Sequence, residues 1–368
     1  MTGVLVAEPV ALAGDSDAMA WAELRFSLQE VDAAGDVVRS IRTPHFQAHE
    51  LDNALDIIDN WRSSHSFALN TFQNTLRRKA RQVTSSPTVA QRIKRFSSIH
   101  AKLRRFRWLT LSQMQDIGGC RAVVGSVSGV RRLVDLYKAS ELRHKLVDED
   151  DYITNPKPSG YRGVHLIYRY ESEKKPVHNG RQIEMQLRSP LQHAWATAVE
   201  TVDTFTRQAL KSGGGEGEWR RFFKLMGSAI ARRERTQLVP ETPTRKKDLV
   251  AELRALNARL GVVDRLGAYG ATLDQVVAPG ARRAHFFLLE LEPGIPPRLT
   301  ITGFQRANLQ EAAARYAEVE RAIRAKQKPG GDAVLVSVES LAALSRAYPN
   351  YYLDTTVFIN AVRLAIGP

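Results

Sequence analysis

Cys120 is the only cysteine in 368 residues, so no intrachain disulfide and no thiolate zinc cluster can form. That poverty fits a reducing cytoplasm, the compartment expected for this chain. No apolar run approaches the length of a membrane span, and no membrane partner is expected. The opening Met1 to Gly14 is mildly apolar but lacks a basic leader and is broken by Glu8 and Pro9, which makes a poor signal peptide. Internal repeats and long low-complexity tracts are absent. A glycine cluster at Gly213, Gly214, Gly215 and Gly217 is followed by no Gly-Lys-Ser/Thr and preceded by no apolar strand, so it reads as a flexible connection and not a phosphate loop. Acidic residues are the scarcer charge: 39 against 53 Lys and Arg, a net +14 that favours phosphorylated small molecules, RNA, DNA or an acidic partner.

What is present is a chain able to bury a sizeable core, with a length that suggests about two domains. Residues from about 24 to 110 read as helical, with Leu51, Leu55, Ile58 and Trp61 at helical spacing, then Leu69, Phe72 and Leu76. A further amphipathic helix is expected after Ser85 to Thr88, through Ile93, Ile99 and Leu103. From Asp116 the pattern turns to β-branched runs: 117–127, a short helix at 130–137, a strand at 141–147, and alternation over 161–171 and 181–188. Helices follow at 192–209, 218–235 and 246–260. A second mixed region near 282 offers strands at 284–291, 297–302 and 333–338 around a helix at 307–326. The expected fold class is α+β, a mixed sheet flanked by helices, with a smaller α/β C-terminal region. The expected division is a helical region at 1–84, a catalytic domain at 85–235, a helical linker at 236–280 and a C-terminal domain at 281–368.

Five stretches carry chemistry together: Arg92-Ile93-Lys94 with Ser97, Ser98 and Lys102; Asp116-Ile117-Gly118-Gly119-Cys120-Arg121; Tyr152 with Asn155 to Tyr161 and then His165; Glu184 to Arg188; and a helix bearing His193, Trp195 and Glu200. Arg92, Lys94, Lys102, Arg121, Lys157 and Arg188 suit phosphate, and arginines add flat faces for a base. Two carboxylates, Asp116 at the start of one strand and Glu184 within another, would make an oxygen site suited to Mg²⁺ if a sheet edge brought them together. Singly, each residue has a plainer reading: Asp116 as a cap before Gly-Gly, Glu184 on a solvent face, Tyr161 as packing.

In their order and spacing these stretches resemble the synthetase domain of the RelA/SpoT family over residues 85–210. The resemblance implies a sheet of nucleotidyltransferase type and transfer of the β,γ-pyrophosphate of ATP to a ribose 3′-hydroxyl. It makes Asp116 and Glu184 the catalytic, Mg²⁺-holding pair. Arg92 and Arg121 would sandwich adenine while Lys94, Lys102 and Arg188 meet phosphates. Tyr161 would stack on the acceptor purine, with Lys157, His165 and Gln186 beside it. The helix after Glu184, Gln192 to Glu200, departs from the usual pattern. No His-Asp pair occurs, so no alarmone hydrolase activity is expected.

The length and the segment Tyr348-Pro349-Asn350-Tyr351-Tyr352 are similar to the fused toxin–antitoxin members called CapRel. This second resemblance implies that Tyr348 and Tyr351 block the ATP site, that a phage protein releases it, and that the acceptor is the tRNA 3′ end. The alternatives are an alarmone synthetase acting on GDP or GTP to make (p)ppGpp, and a non-enzymatic nucleotide- or RNA-binding module; the presence of both acids argues against the last.

Overall fold

The computed structural model describes residues 21–41, 50–209, 216–271, 273–292, 294, 296–325, 327 and 331–367. The opening Met1 to Gly14 and the glycines at 213–215 lie outside the described residues, while Gly217 falls inside a helix. Among the described residues no helix is long and apolar enough to cross a membrane.

The N-terminal layer is α1 (Leu28–Ser40), α2 (Leu51–Ser63) and α3 (Ser66–Val83). Leu55, Ile58 and Trp61 on α2 and Leu69, Phe72 and Leu76 on α3 are buried, as their helical spacing requires. The helical reading fails at β1 (Thr88–Ile93), a strand that sequence periodicity had merged with the following α4 (Phe96–Arg105). Thr88-Val89 begins a β-branched pair, and Arg95 is extended (φ −63°, ψ 144°), which breaks the backbone between the two elements.

The chain continues through β2 (Gly118–Val123), α5 (Val127–Lys138), β3 (Lys145–Asp151), β4 (Val164–Arg169) and β5 (Gln182–Arg188) to α6 (Pro190–Ala209). Then come α7 (Glu216–Glu234), α8 (Lys246–Leu260), α9 (Val262–Ala271), β6 (Asp274–Val277), β7 (Phe286–Glu292) and β8 (Arg298–Phe304). The last elements are α10 (Leu309–Arg324), β9 (Asp332–Ser337), α11 (Leu341–Ala347) and α12 (Thr356–Ile366). The strand expected at 141–147 thus begins at Lys145, beyond the helix-ending turn.

The strands form one mixed sheet in the order β3-β4-β5-β2-β1-β9-β7-β8-β6. The β2–β5 and β6–β8 pairs are parallel and the rest antiparallel. The strands of the second mixed region therefore extend the first sheet through β1 and β9, with Gln91 opposite Ser337 and Arg92 opposite Val336. Gln73 on α3 reinforces this seam by donating to the Ser337 carbonyl at 2.9 Å. The segment expected as a helical linker is helical in α8 and α9, yet Leu249, Leu253, Leu256 and Leu260 are buried with Phe222, Leu225 and Phe358 in one apolar cluster with α6, α7 and α12. Burial of that many leucines makes it core.

Candidate active site

β5 alternates, so Glu184, Gln186 and Arg188 point one way while Ile183, Met185 and Leu187 fill the core. Parallel pairing puts Gly119 beside Glu184, which brings the turn before β2, and Asp116 within it, to the same edge. Both carboxylates line a cavity of about 340 Å³ together with Lys102, Lys157, Tyr161, His165, Gln186 and Arg188. The two acids thus converge, the arrangement on which the enzymatic reading depends.

Asp116 is held by two lysines: Lys94 Nζ lies 2.6 Å from Oδ2 and Lys102 Nζ 2.9 Å from Oδ1. The Lys94 N–H donates to the Ile117 carbonyl at 2.8 Å, carrying the β1–β2 ladder one step further and setting Lys94 across from Ile117, the neighbour of Asp116. Burial would push the Asp116 carboxyl up; Lys94 and Lys102 outweigh burial and the nearby Glu184 charge and hold it below the ordinary range.

Glu184 belongs to a closed hydrogen-bonded circuit of side chains. Its Oε1 meets His165 Nδ1 at 2.9 Å, and His165 Nε2 lies 2.5 Å from the Tyr161 hydroxyl. Arg188 Nη2 donates to that hydroxyl at 2.9 Å and to Gln186 Oε1 at 2.8 Å, and Gln186 Nε2 returns to Glu184 Oε2 at 2.7 Å. Burial opposes ionisation of Glu184, but His165 and Gln186 override it and keep the carboxylate anionic. His165 is lifted to about 9 against its own burial by Tyr161 and Glu184. The Tyr161 phenol is lowered: burial alone would raise it, and Arg188 and His165 prevail.

Lys157 reaches over two aromatic faces, Tyr152 at 4.0 Å and Tyr161 at 5.5 Å. Tyr152, singled out in its stretch, also lines the cavity, as do Asp150, Gln115 and Ile167, which the sequence reading passes over. Asp150 was legible only through register, because β3 pairs it with His165.

Arg121 and Arg92 lie away from this cavity, on the side covered by the C-terminal region. The Arg121 guanidinium sits 5.2 Å from the centroid of the Tyr348 ring and donates to the Ala347 carbonyl. Burial and Arg188 lower Arg121 to about 10, so it stays charged near neutrality. Tyr348 is 4% exposed and donates to the Gln91 carbonyl at 2.8 Å. Tyr351, 3% exposed, donates to Asp332 Oδ2 at 3.1 Å, and Asp332 pairs with Arg95. His193 Nε2 is 3.3 Å from the Arg346 carbonyl, so helix α6 meets the cover there, while its Trp195 packs edge-on against Tyr161 of the cavity wall, ring centroids 6.2 Å apart. In place of one open site, the expected residues form an open cavity around the acids and a covered half around Arg121.

Two half-buried carboxylates on an open cavity are hard oxygen donors fit for a divalent cation that completes its shell from phosphates and water. Among the described residues no three His, Cys, Asp or Glu side chains form a closed metal cage. In this arrangement both acids are neutralised by protein cations and donors, which a metal–triphosphate would have to draw away.

The model of the region found in RelA/SpoT proteins matches residues 91–204, which carry these elements. Among curated proteins the chain is similar to the GTP pyrophosphokinase YjbM of Bacillus subtilis (strain 168), 32% identical over 117 residues, 31% of this chain and 55% of the relative. YwaC of the same organism is 31% identical over 121 residues, 30% of this chain and again 55% of the relative. The chain therefore spans about half the length of these relatives. Among solved structures, small alarmone synthetase 1 from Bacillus subtilis aligns with a TM-score of 0.41 at 23% identity, over 49% of this chain and 93% of that one.

Proposed function

We propose that this chain, whose residues 91–204 match the region found in RelA/SpoT proteins, transfers the β,γ-pyrophosphate of ATP to a ribose 3′-hydroxyl, releasing AMP. The observation that carries this reading is the convergence of Asp116 and Glu184 on one cavity rimmed by Lys102, Lys157 and Arg188. Glu184, kept anionic and oriented by His165 and Gln186, accepts the proton of the attacking hydroxyl. Lys94 and Lys102 pass from Asp116 to the phosphates as these arrive, and Arg188 offsets charge developing on the transferred group. Asp116 and Glu184 would hold Mg²⁺, whose chemistry here is to neutralise triphosphate oxygens. Lys157, Tyr152 and Tyr161 form the cationic and aromatic wall suited to a purine nucleotide.

The acceptor we propose is the 3′-terminal nucleotide of tRNA. Arginines 104, 105 and 107 are exposed on and beyond the same helix that carries Lys102, and Trp108 beside them is 76% exposed. Cations next to an open indole suit single-stranded nucleic acid, in which phosphates pair with the arginines and a base stacks. The names of the relatives favour a second acceptor, GDP or GTP, with (p)ppGpp as product.

Tyr348 on the Arg121 face supports a self-inhibited resting state in which a tyrosine occupies the place of adenine. By the CapRel resemblance, the segment is lifted by a phage protein and the activity serves antiviral defence. The test offers ATP labelled at the γ-phosphate with tRNA, GDP and GTP separately, to the chain and to its Tyr348→Ala variant. Label in tRNA is expected. Label in guanine nucleotides alone selects the second acceptor, and none with either chain removes the enzymatic reading.

A further inference from the structure

Glu320 stands on α10, far beyond the 91–204 region, with its side chain 8% exposed, and it does not line the cavity. Its Oε1 accepts the Phe96 N–H and the Tyr316 hydroxyl, both at 2.9 Å. Its Oε2 accepts Arg62 Nη1 at 2.7 Å. Phe96 is the first residue of α4, and Arg95 before it supplies no side-chain cap. A carboxylate from a distant helix thus caps α4, satisfying an otherwise free N–H and facing the positive end of the helix dipole.

Arg62 carries the same grip further. Its Nε donates to the Lys94 carbonyl at 2.9 Å, its Nη1 also pairs with Asp59 at 2.9 Å, and its guanidinium lies 5.1 Å from the Tyr316 ring centroid. One carboxylate therefore anchors both the backbone of Lys94 and the start of the helix bearing Lys102. Those are the two lysines on Asp116. Apolar residues of similar volume often replace a buried ion pair at no loss of stability, but they could neither cap Phe96 nor hold Arg62 on the Lys94 carbonyl.

We infer that Glu320 is a positioning residue for the phosphate-binding lysines Lys94 and Lys102, so that the C-terminal region supplies part of the active-site scaffold as well as its cover. This rests on the proposed ATP-side role of those lysines. It divides the C-terminal region in two: β9 and α10 stay docked, through the β1–β9 pairing and Glu320, while the Tyr348 to Tyr351 segment lifts.

The experiment uses the full chain carrying Tyr348→Ala, so that the cover does not limit access. Titration calorimetry with a non-hydrolysable ATP analogue and Mg²⁺ reads the phosphate side without turnover, and KM values for ATP and acceptor are measured in parallel. Glu320→Ala is expected to weaken analogue binding and raise the ATP KM roughly tenfold or more, as a small displacement of positioned groups does. The acceptor KM should stay within about twofold. Glu320→Gln, which keeps an oxygen for Phe96 and Tyr316, should restore part of the affinity. Analogue binding that is unchanged or tighter in Glu320→Ala would overturn the inference, leaving Glu320 a mere fastening of the cover. Should Glu320→Ala not fold, Tyr316→Phe removes one donor from the same carboxylate. A selective loss of ATP affinity there supports the inference, and none overturns it. If no acceptor is labelled yet analogue binding falls as expected, the proposed reaction fails and the positioning role stands.

Discussion

Asp116 and Glu184 differ in how they are kept charged, and their variants should differ accordingly. Asp116→Asn leaves Lys94 and Lys102 facing each other without their shared carboxylate, while Glu184→Gln breaks the circuit through His165 and Gln186. Each is expected to lower AMP release at least roughly a hundredfold, measured on chains with an unchanged circular dichroism spectrum. His65 gives a stability prediction. It is buried, with Nδ1 2.8 Å from the Trp61 carbonyl, and burial depresses its pKa from 6.5 to about 3. Between those values the unfolded chain binds the proton and the folded chain does not, so stability is full above about 6.5 and declines as pH falls toward 3. Urea melts from pH 7 to 4 should show this decline, and His65→Gln should flatten it. The residue types of the site were legible in sequence, but their pairings were not. Tyr161 reads as a flat face, whereas its hydroxyl proves to join His165 to Arg188, a consequence of how β4 and β5 pair.

At the scale of elements, the turn bearing Lys157 and Tyr161 is seated by glycine on glycine. Gly160 takes φ +99°, and a Cβ on Gly227 of α7 would come within 2.7 Å of the Gly160 carbonyl oxygen and 2.9 Å of its Cα. Gly227→Ala should therefore cost about 1–3 kcal/mol in a thermal or urea melt and raise the acceptor KM before the ATP KM. The element around Tyr348 should respond oppositely: Tyr348→Ala removes the ring over Arg121 and is expected to raise ATP-dependent labelling several-fold, read as label transferred per minute. Amphipathic spacing was enough to locate α2 and α3. It missed β1 and misplaced the start of α4, because the cap of that helix is Glu320, distant in sequence and invisible to any local pattern.

Across the whole molecule, the sheet makes the N-terminal and C-terminal strands one hydrogen-bonded layer. Ala90 on β1 packs with Phe287, Val334, Val336 and Tyr348 in a cluster that the C-terminal strands complete. A chain ending near residue 270 would expose the β1 edge and that apolar face, so size-exclusion chromatography should show aggregation where the full chain stays dispersed. Local pattern is enough for the residue types of the candidate site and for most of the elements: the two acids, the cations at their spacing, and the alternation that turns Glu184, Gln186 and Arg188 to one side are properties of residues along a strand or helix. That Asp116 and Glu184 line one cavity, that Arg121 lies against Tyr348, and that Glu320 holds α4 come from long-range packing. Each of these is a contact between segments distant in sequence, fixed by sheet order and burial, and no periodicity within a single segment encodes it.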